Sequence, residues 1–265
     1  MQRFEHKYLF RFKNTQLFTF FSSKKKNSEA VTLSSLGVDM HSHVLPGIDD
    51  GAQNLEQSIE RVQNLYELGF KKIITTPHTY KDFYPNTSAI IKERLSYLNS
   101  ELEKRGIKTI SAASEYFMDE HFETLLNNKD LLTLDGKHVL VEMSFYGAPP
   151  KLNQYIFELQ TKGYIPILAH PERYSFYEGD LKKYAELKDI GCLFQMNILS
   201  YIGYYSPEVQ MDAKKLVKAG MIDLLGTDMH HKRHADALEY ELKTNTDLKK
   251  LLEKDFQNNK LFAEA

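Results

Sequence analysis

Short β-prone apolar runs alternate along the chain with longer stretches whose apolar residues recur every three or four positions, and glycine falls at many of the joins. The run at 36–40 (LGVDM) reads as a strand. Over 54–70, Leu55, Ile59, Val62 and Tyr66 share one helical face. Asn54 and Gln57 stand three apart at its start, in the manner of a capping box, and Gly69 can close it in the left-handed region. A second strand is predicted over 71–76. A helix follows over 87–105, with Ile91, Leu95, Leu98 and Leu102 aligned, and then a third strand over 107–114. A short helix occupies about 119–127. Strands at 137–143, 164–169, 192–197 and 222–227 are separated by helices at 151–162 and 180–189 and by one opening at Ser206-Pro207, serine as cap and proline in the first turn. A last helix begins near 234 and is expected to finish the chain.

Strands separated by helices imply parallel pairing and right-handed crossovers. Seven such units predict an α/β fold, a distorted (β/α)7 TIM-like barrel, as one domain over 36–265. An open doubly wound sheet would more often begin with a glycine-rich phosphate loop, and none is present. The 265 residues suit a single barrel, and 42% hydrophobic content suffices for its core. Residues 1–35 read as a flexible N-terminal extension. Its aromatic and lysine-bearing stretch at 17–26 suggests weak contact with an anionic membrane surface.

Charge and cysteine content narrow the chemistry. A net charge of −2 gives no general footprint for nucleic acid. The single cysteine, Cys192, excludes an internal disulfide and a cysteine-based metal cluster. It also suits a reducing compartment, so a cytoplasmic location is the expectation. No run of about 18 apolar residues marks a transmembrane helix.

The predicted strands end on metal-ligand residue types. The first ends in His41-Ser-His43, the second in Thr76-Pro77-His78, the third in Ser114-Glu115. The fourth carries Glu142, the fifth ends in His170-Pro-Glu-Arg173, the sixth at Asn197 and the seventh in Asp228-Met-His230. In a parallel barrel these carboxyl ends share one face, the face that carries active sites. Residues two apart on a strand point to one side, so His41 with His43, and Asp228 with His230, can each bind one ion. Imidazole and carboxylate without thiolate suit Zn, Mn or Fe. Nine candidates (His41, His43, Asp50, His78, Glu115, Glu142, His170, Asp228 and His230) are too many for one ion and imply two or three, with Glu115 a natural bridge. Gly47 and Gly51 permit a tight turn that brings Asp49 or Asp50 over the first strand end. Clustered ions polarise a substrate oxygen and generate hydroxide near neutral pH, most often to hydrolyse phosphate esters. Arg173 and Arg233, each three residues after a candidate histidine, can clamp a phosphoryl group. A cysteine-dependent phosphatase is excluded, because the position six after Cys192 is Ile198 rather than arginine. No G-x-S-x-G elbow or Walker loop occurs.

Taken together, these motifs resemble the PHP (polymerase and histidinol phosphatase) superfamily. "DMHSHVLPGIDDGA", "TTPH", "AHPERY" and "GTDMHH" are most similar to the manganese-dependent bacterial protein-tyrosine phosphatases encoded with capsule and exopolysaccharide genes. The resemblance spans about 36–255. It implies a three-metal centre holding Mn²⁺, with Fe, Zn or Co as alternatives. By motif, one site takes His41, His43, Glu115 and Asp228. A second takes Glu115, Glu142 and His170, and a third takes Asp50, His78 and His230. It further implies metal-activated hydroxide attacking phosphorus, the arginines holding phosphate, and a phosphotyrosine protein as substrate: the tail of a membrane-bound polysaccharide-export tyrosine kinase. In two respects the chain departs from the family pattern. His231 stands where Asn usually follows the final Asp-x-His, and the next arginine sits closer. Competing readings are a PHP phosphatase acting on a small molecule such as histidinol phosphate, a metal-dependent amidohydrolase, and a non-catalytic scaffold. Amidohydrolase barrels usually carry a bridging lysine on strand four, where this chain has "VEM".

Overall fold

The computed structural model describes residues 31–177 and 179–264. The predicted membrane-contacting stretch at 17–26, and most of the predicted extension, lie outside them. Ahead of the first strand, Leu33 and Leu36 are already buried in the core.

The strands are β1 (Val38–Asp39), β2 (Lys72–Thr75), β3 (His78–Thr79), β4 (Ser111–Ala112), β5 (Glu115–Phe117), β6 (His138–Glu142), β7 (Ile165–Ala169), β8 (Leu193–Asn197) and β9 (Leu224–Gly226). Each pairs in parallel with its neighbour, in the orders β1-β2-β4 and β3-β5-β6-β7-β8-β9. Two strands resume, after a break, beyond their predicted ends at 76 and 114. Pro77 lacks an amide and interrupts the second, leaving β2 and β3. The third breaks at Ala113–Ser114, where Ala113 N donates to Thr75 O and Glu115 N to Pro77 O. It also starts later than predicted, because the Asn99 side chain satisfies both Ile110 N and Ile110 O at 2.9 Å and substitutes for a strand neighbour. Counted through these breaks there are seven strands. A parallel bridge between Ser42 and Met229, with Asp228 N donating to His41 O at 2.7 Å, returns the order from the last strand to the first.

The helices are α1 (Leu55–Glu67), α2 (Ser88–Lys104), α3 (Glu120–Asn128), α4 (Leu152–Thr161), α5 (Leu181–Asp189), α6 (Ile198–Tyr201), α7 (Pro207–Lys218), α8 (Lys232–Thr244), α9 (Thr246–Leu252) and α10 (Asn258–Phe262). The predicted caps form: Asn54 Oδ1 accepts from Gln57 N, and Ser206 Oγ from Val209 N. The single C-terminal helix expected from 234 is instead three. Asn245 leaves helical geometry and caps a new helix, its side chain accepting from Asp247 N and Leu248 N.

Alternation along the strands decides what faces inward. On β6, His138, Leu140 and Glu142 share a side. His138 meets Phe262 edge-on at one end, Leu140 packs with Val38, Ile74, Ile167 and Leu224, and Glu142 reaches the carboxyl end. The apolar layer is therefore the floor beneath the polar face. Gly226 keeps that layer closed, since a Cβ there would lie 2.7 Å from Gln195 Nε2 and 2.8 Å from His41 Cβ.

Candidate metal centre

All nine predicted ligands converge at the carboxyl ends. Glu115, fully buried at the start of β5, is the hub. Its Oε2 lies 3.1 Å from His41 Nε2 and 3.3 Å from both His43 Nε2 and His78 Nδ1, while its Oε1 lies 3.0 Å from His170 Nε2. Asp228 Oδ1 is 3.4 Å from His41 Nε2, 3.4 Å from His43 Nε2 and 3.3 Å from His230 Nδ1. Glu142 Oε1 is 2.9 Å from His78 Nδ1. Asp50 Oδ1 reaches His230 Nε2 at 3.3 Å and His78 Nε2 at 3.6 Å.

Four groups have ligand atoms close enough to share an ion: His41/His43/Glu115, His41/His170/Asp228, His78/Glu115/Glu142 and His43/Asp50/His78/His230. They follow the expected sets with local exchanges. His43 joins the group at Asp50. His78 joins the two glutamates, whereas His170 Nε2 is 3.0 Å from Glu115 but 4.0 Å from Glu142.

The hydrogen bonds around the cluster suit cations. Asp49 Oδ2 receives His43 Nδ1–H at 2.9 Å, and Gln195 Oε1 receives His41 Nδ1–H at 2.7 Å. Both rings then aim Nε2 lone pairs at one point, 3.3 Å apart. Asp228 Oδ1 and His78 Nδ1 are buried without a hydrogen-bond partner, although other cluster atoms lie within 3.4 Å of each. Buried lone pairs that face one another are costly unless a positive charge sits between them. The donor set, nitrogen and carboxylate oxygen, fits a divalent transition ion. Behind it, Gln195 Nε2 donates to Asn197 Oδ1 and Asn197 Nδ2 to Asp228 Oδ2 at 2.6 Å, tying β8 to the turn after β9.

Local backbone geometry aims the ligands. His170 and Asp228 adopt φ of 34° and 49°, a strained region for non-glycine residues that costs about 1–3 kcal/mol each. Both turn sharply off a strand end. Gly51 lets the 47–52 turn close against the His43 backbone beyond β1, since a Cβ there would lie 2.0 Å from His43 O. That turn leaves Asp49 buried on His43 and Asp50 facing the cluster with its side chain 53% exposed.

Burial opposes charge throughout, but the opposite charges prevail. Glu115 and Asp228 raise the His41 pKa against burial, and Asp49 raises that of His43. Burial and the neighbouring His43 pull His230 down, yet Asp228 and Asp50 hold it at about 9. Glu115 and Asp228 are held well below the usual carboxylate range, chiefly by His41 acting against burial.

A cavity of about 200 Å³ opens over the cluster. Its non-ligand walls are Phe145, Arg173, Tyr205, His231 and His234. Arg173 Nη1 donates to Asp228 Oδ2 at 3.2 Å, and its guanidinium lies between the rings of Phe145 and Tyr205, at 4.7 and 4.5 Å. Arg233, also expected here, is exposed on α8 and does not line the cavity, whereas His234, one residue on, is buried and does. Burial pushes the His234 pKa down to about 3, so its ring is neutral. Asp49, Gln195, Phe145, Tyr205 and His234 were not assigned these places by motif. Of these, only Asp49 and His234 carried a signal, one in the LPGIDDG loop and the other in the apolar phase of α8.

Parallel strands whose carboxyl ends open on one pocket of histidines and carboxylates define an α/β-barrel protein with the donor set of a polynuclear metal centre. The phosphotriesterase homology protein from Escherichia coli shares the fold, with a TM-score of 0.53 at 14% identity over 86% of this chain and 96% of that one. More narrowly, the chain belongs to the CpsB/CapC family of capsular polysaccharide synthesis, whose family model matches residues 37–262. It is 32% identical to the tyrosine-protein phosphatase YwqE of Bacillus subtilis over 196 residues, covering 73% of this chain and 77% of that protein. It is 26% identical to the tyrosine-protein phosphatase CpsB of Streptococcus agalactiae over 202 residues, 73% and 83% of the two chains. Among solved structures it is similar to one from the crystal structures of YwqE from Bacillus subtilis and CpsB from Streptococcus pneumoniae, described as unique metal-dependent tyrosine phosphatases. That match has a TM-score of 0.72 and 28% identity, over 85% of this chain and 94% of that one.

Proposed function

We propose that the protein is a metal-dependent tyrosine phosphatase of polysaccharide synthesis. The observation that carries this is the placement of Arg173 at the rim of a cavity floored by four candidate metal-ligand groups. His41, His43, Asp50, His78, Glu115, Glu142, His170, Asp228 and His230 would hold the ions, and Glu115 is placed to serve more than one of them. Mn²⁺ is the proposed occupant. Bound ions supply Lewis acidity and a water that ionises near neutral pH. The chain's own groups orient the ester. The aromatic faces of Phe145 and Tyr205 hold the Arg173 guanidinium flat, so its fork is preorganised for a phosphoryl group. A cavity of about 200 Å³ is smaller than the roughly 300–1,000 Å³ of pockets that enclose a whole drug-sized ligand. Only the phosphoryl end of the substrate is enclosed, which suits a phosphotyrosine on a protein. The proposed partner is the tyrosine-phosphorylated tail of a membrane-bound polysaccharide-export kinase, and the proposed location is the cytoplasm. Among the described residues, no helix is long and apolar enough to cross a membrane.

The deciding experiment measures phosphate release from a phosphotyrosine peptide beside histidinol phosphate, on chelator-stripped protein with and without Mn²⁺. Mn²⁺-dependent turnover of the peptide is expected. Turnover of histidinol phosphate alone moves the protein to a small-molecule role, and turnover of neither ends the phosphatase reading.

Arg173→Ala is expected to raise KM for the peptide roughly 10- to 100-fold, the cost of charge-assisted hydrogen bonds to a phosphoryl dianion. Arg173→Lys recovers only part of this, because an ammonium lacks the planar fork. Unchanged kinetics for both variants removes Arg173 from the substrate site.

A further inference from the structure

None of the candidate metal-ligand groups uses His231 or His234, although both line the cavity. His234 is the better placed. It is 7% exposed and shares the buried side of α8 with Ala235, Leu238 and Leu242. Tyr204 meets its ring edge-on at 5.1 Å, with Tyr205 at 6.4 Å, and Tyr205 in turn lies against the Arg173 guanidinium. The backbone amide of His230 donates to His234 Nδ1 at 3.3 Å. The Asp228 backbone carbonyl accepts from His230 Nδ1 at 3.0 Å and also faces the His234 ring. An imidazole nitrogen that accepts a hydrogen bond carries no proton, so a ring held this way has its N–H at Nε2.

We propose that His234 Nε2–H is a phosphoryl-oxygen donor of the active site, lining the same cavity as Arg173, in the role the sequence motif offered to Arg233. The proposal rests on the phosphatase reading. Three observations support it: a ring fixed by packing, an Nδ1 committed to the backbone, and a place on the cavity wall beside the residues that seat Arg173.

Three variants separate a substrate contact from support of the His230 backbone. His234→Gln places an amide N–H near the former Nε2. His234→Asn keeps a polar atom near the former Nδ1 but stops short of the cavity. His234→Ala removes both. Kinetics on a phosphotyrosine peptide, inhibition by inorganic phosphate, bound Mn²⁺ per chain and melting temperature are measured for each. The expected result is a roughly 10- to 100-fold fall in kcat/KM for the Asn and Ala variants, the range for one hydrogen bond to a charged group. The inhibition constant of phosphate should rise in parallel, metal content should hold, and the Gln variant should recover most of the loss. A functional Asn variant beside an impaired Gln variant overturns the proposal and makes His234 a support for His230. Wild-type kinetics in all three also overturns it. A loss that grows with leaving-group pKa across aryl phosphates does the same, moving the donor to the leaving oxygen. If wild-type protein itself turns over no phosphate ester, the phosphatase reading fails and this one with it. Wild-type turnover with unaffected variants removes this one alone.

Discussion

Glu115→Gln is expected to reduce turnover of a phosphotyrosine peptide by roughly 10³-fold or more, since losing even an outer partner of a metal ligand costs about 10- to 100-fold. The exchange is nearly isosteric, so the loss is one of charge and lone pairs rather than volume. In the wild-type chain this carboxylate contacts four imidazoles from three strand ends, with distances of 3.0–3.3 Å. An amide keeps one acceptor oxygen and turns an NH2 toward nitrogens that must offer lone pairs to a cation. Bound metal per chain should fall together with activity. A variant that retains full metal content and full turnover excludes Glu115 as a ligand shared between sites.

Removal of metal is expected to lower the melting temperature by roughly 8–16 °C at neutral pH. Saturation at a thousand times Kd contributes about 4 kcal/mol, and each kcal/mol moves a chain of this size by about 2–4 °C. The gap should depend on pH in a definite direction. His230 in the metal-free fold has its pKa raised to about 9, above the ordinary value near 6.5. A raised value means that the protonated ring stabilises the metal-free fold fully below about 6.5, and that this contribution disappears as pH climbs through about 9. Asp228 and Glu115 are shifted the other way, so their contribution is present above the ordinary carboxylate range and is lost only in strong acid. The metal-free protein should therefore be most stable between about pH 4.5 and 6.5. Metal competes with protons for the same imidazoles, so its affinity should increase with pH. Thermal melts of stripped and Mn²⁺-loaded protein at pH 6 and pH 9 check both signs. A gap that narrows toward pH 9 contradicts the assignment of these histidines as ligands.

Most of the ligand set was legible because two periodicities carry it. Parallel strands place all their carboxyl ends on one face, and alternation puts i and i+2 on one side. Hence His41 could be paired with His43, and Asp228 with His230, from the pattern alone. The motifs also carried the family. The misplacement of one cavity residue shows where such reading stops. Arg233 is expected at the site from its spacing alone, three residues after His230, ahead of a helix expected to start near 234. The helix starts at Lys232, capped by His231, and successive side chains on it diverge by about 100°. Residue 233 therefore faces out and residue 234 faces in. The apolar residues Ala235, Leu238 and Leu242 already contained that phase, since His234 lies four before Leu238.

The sequence by itself determined the alternation of strands and helices, the parallel order, the family and the nine candidate ligands. These follow from local periodicity and from which residue types can bind a cation. Only the tertiary structure decided the rest. It buried Asp49 on His43 and left Asp50 at the pocket. It linked Asn197 to Asp228 from separate strands, and it seated Arg173 between Phe145 and Tyr205. The physical reason is range. Those contacts join residues 6 to 32 positions apart, and their distances depend on strand register, turn closure and ring packing, which no local pattern of residue types encodes.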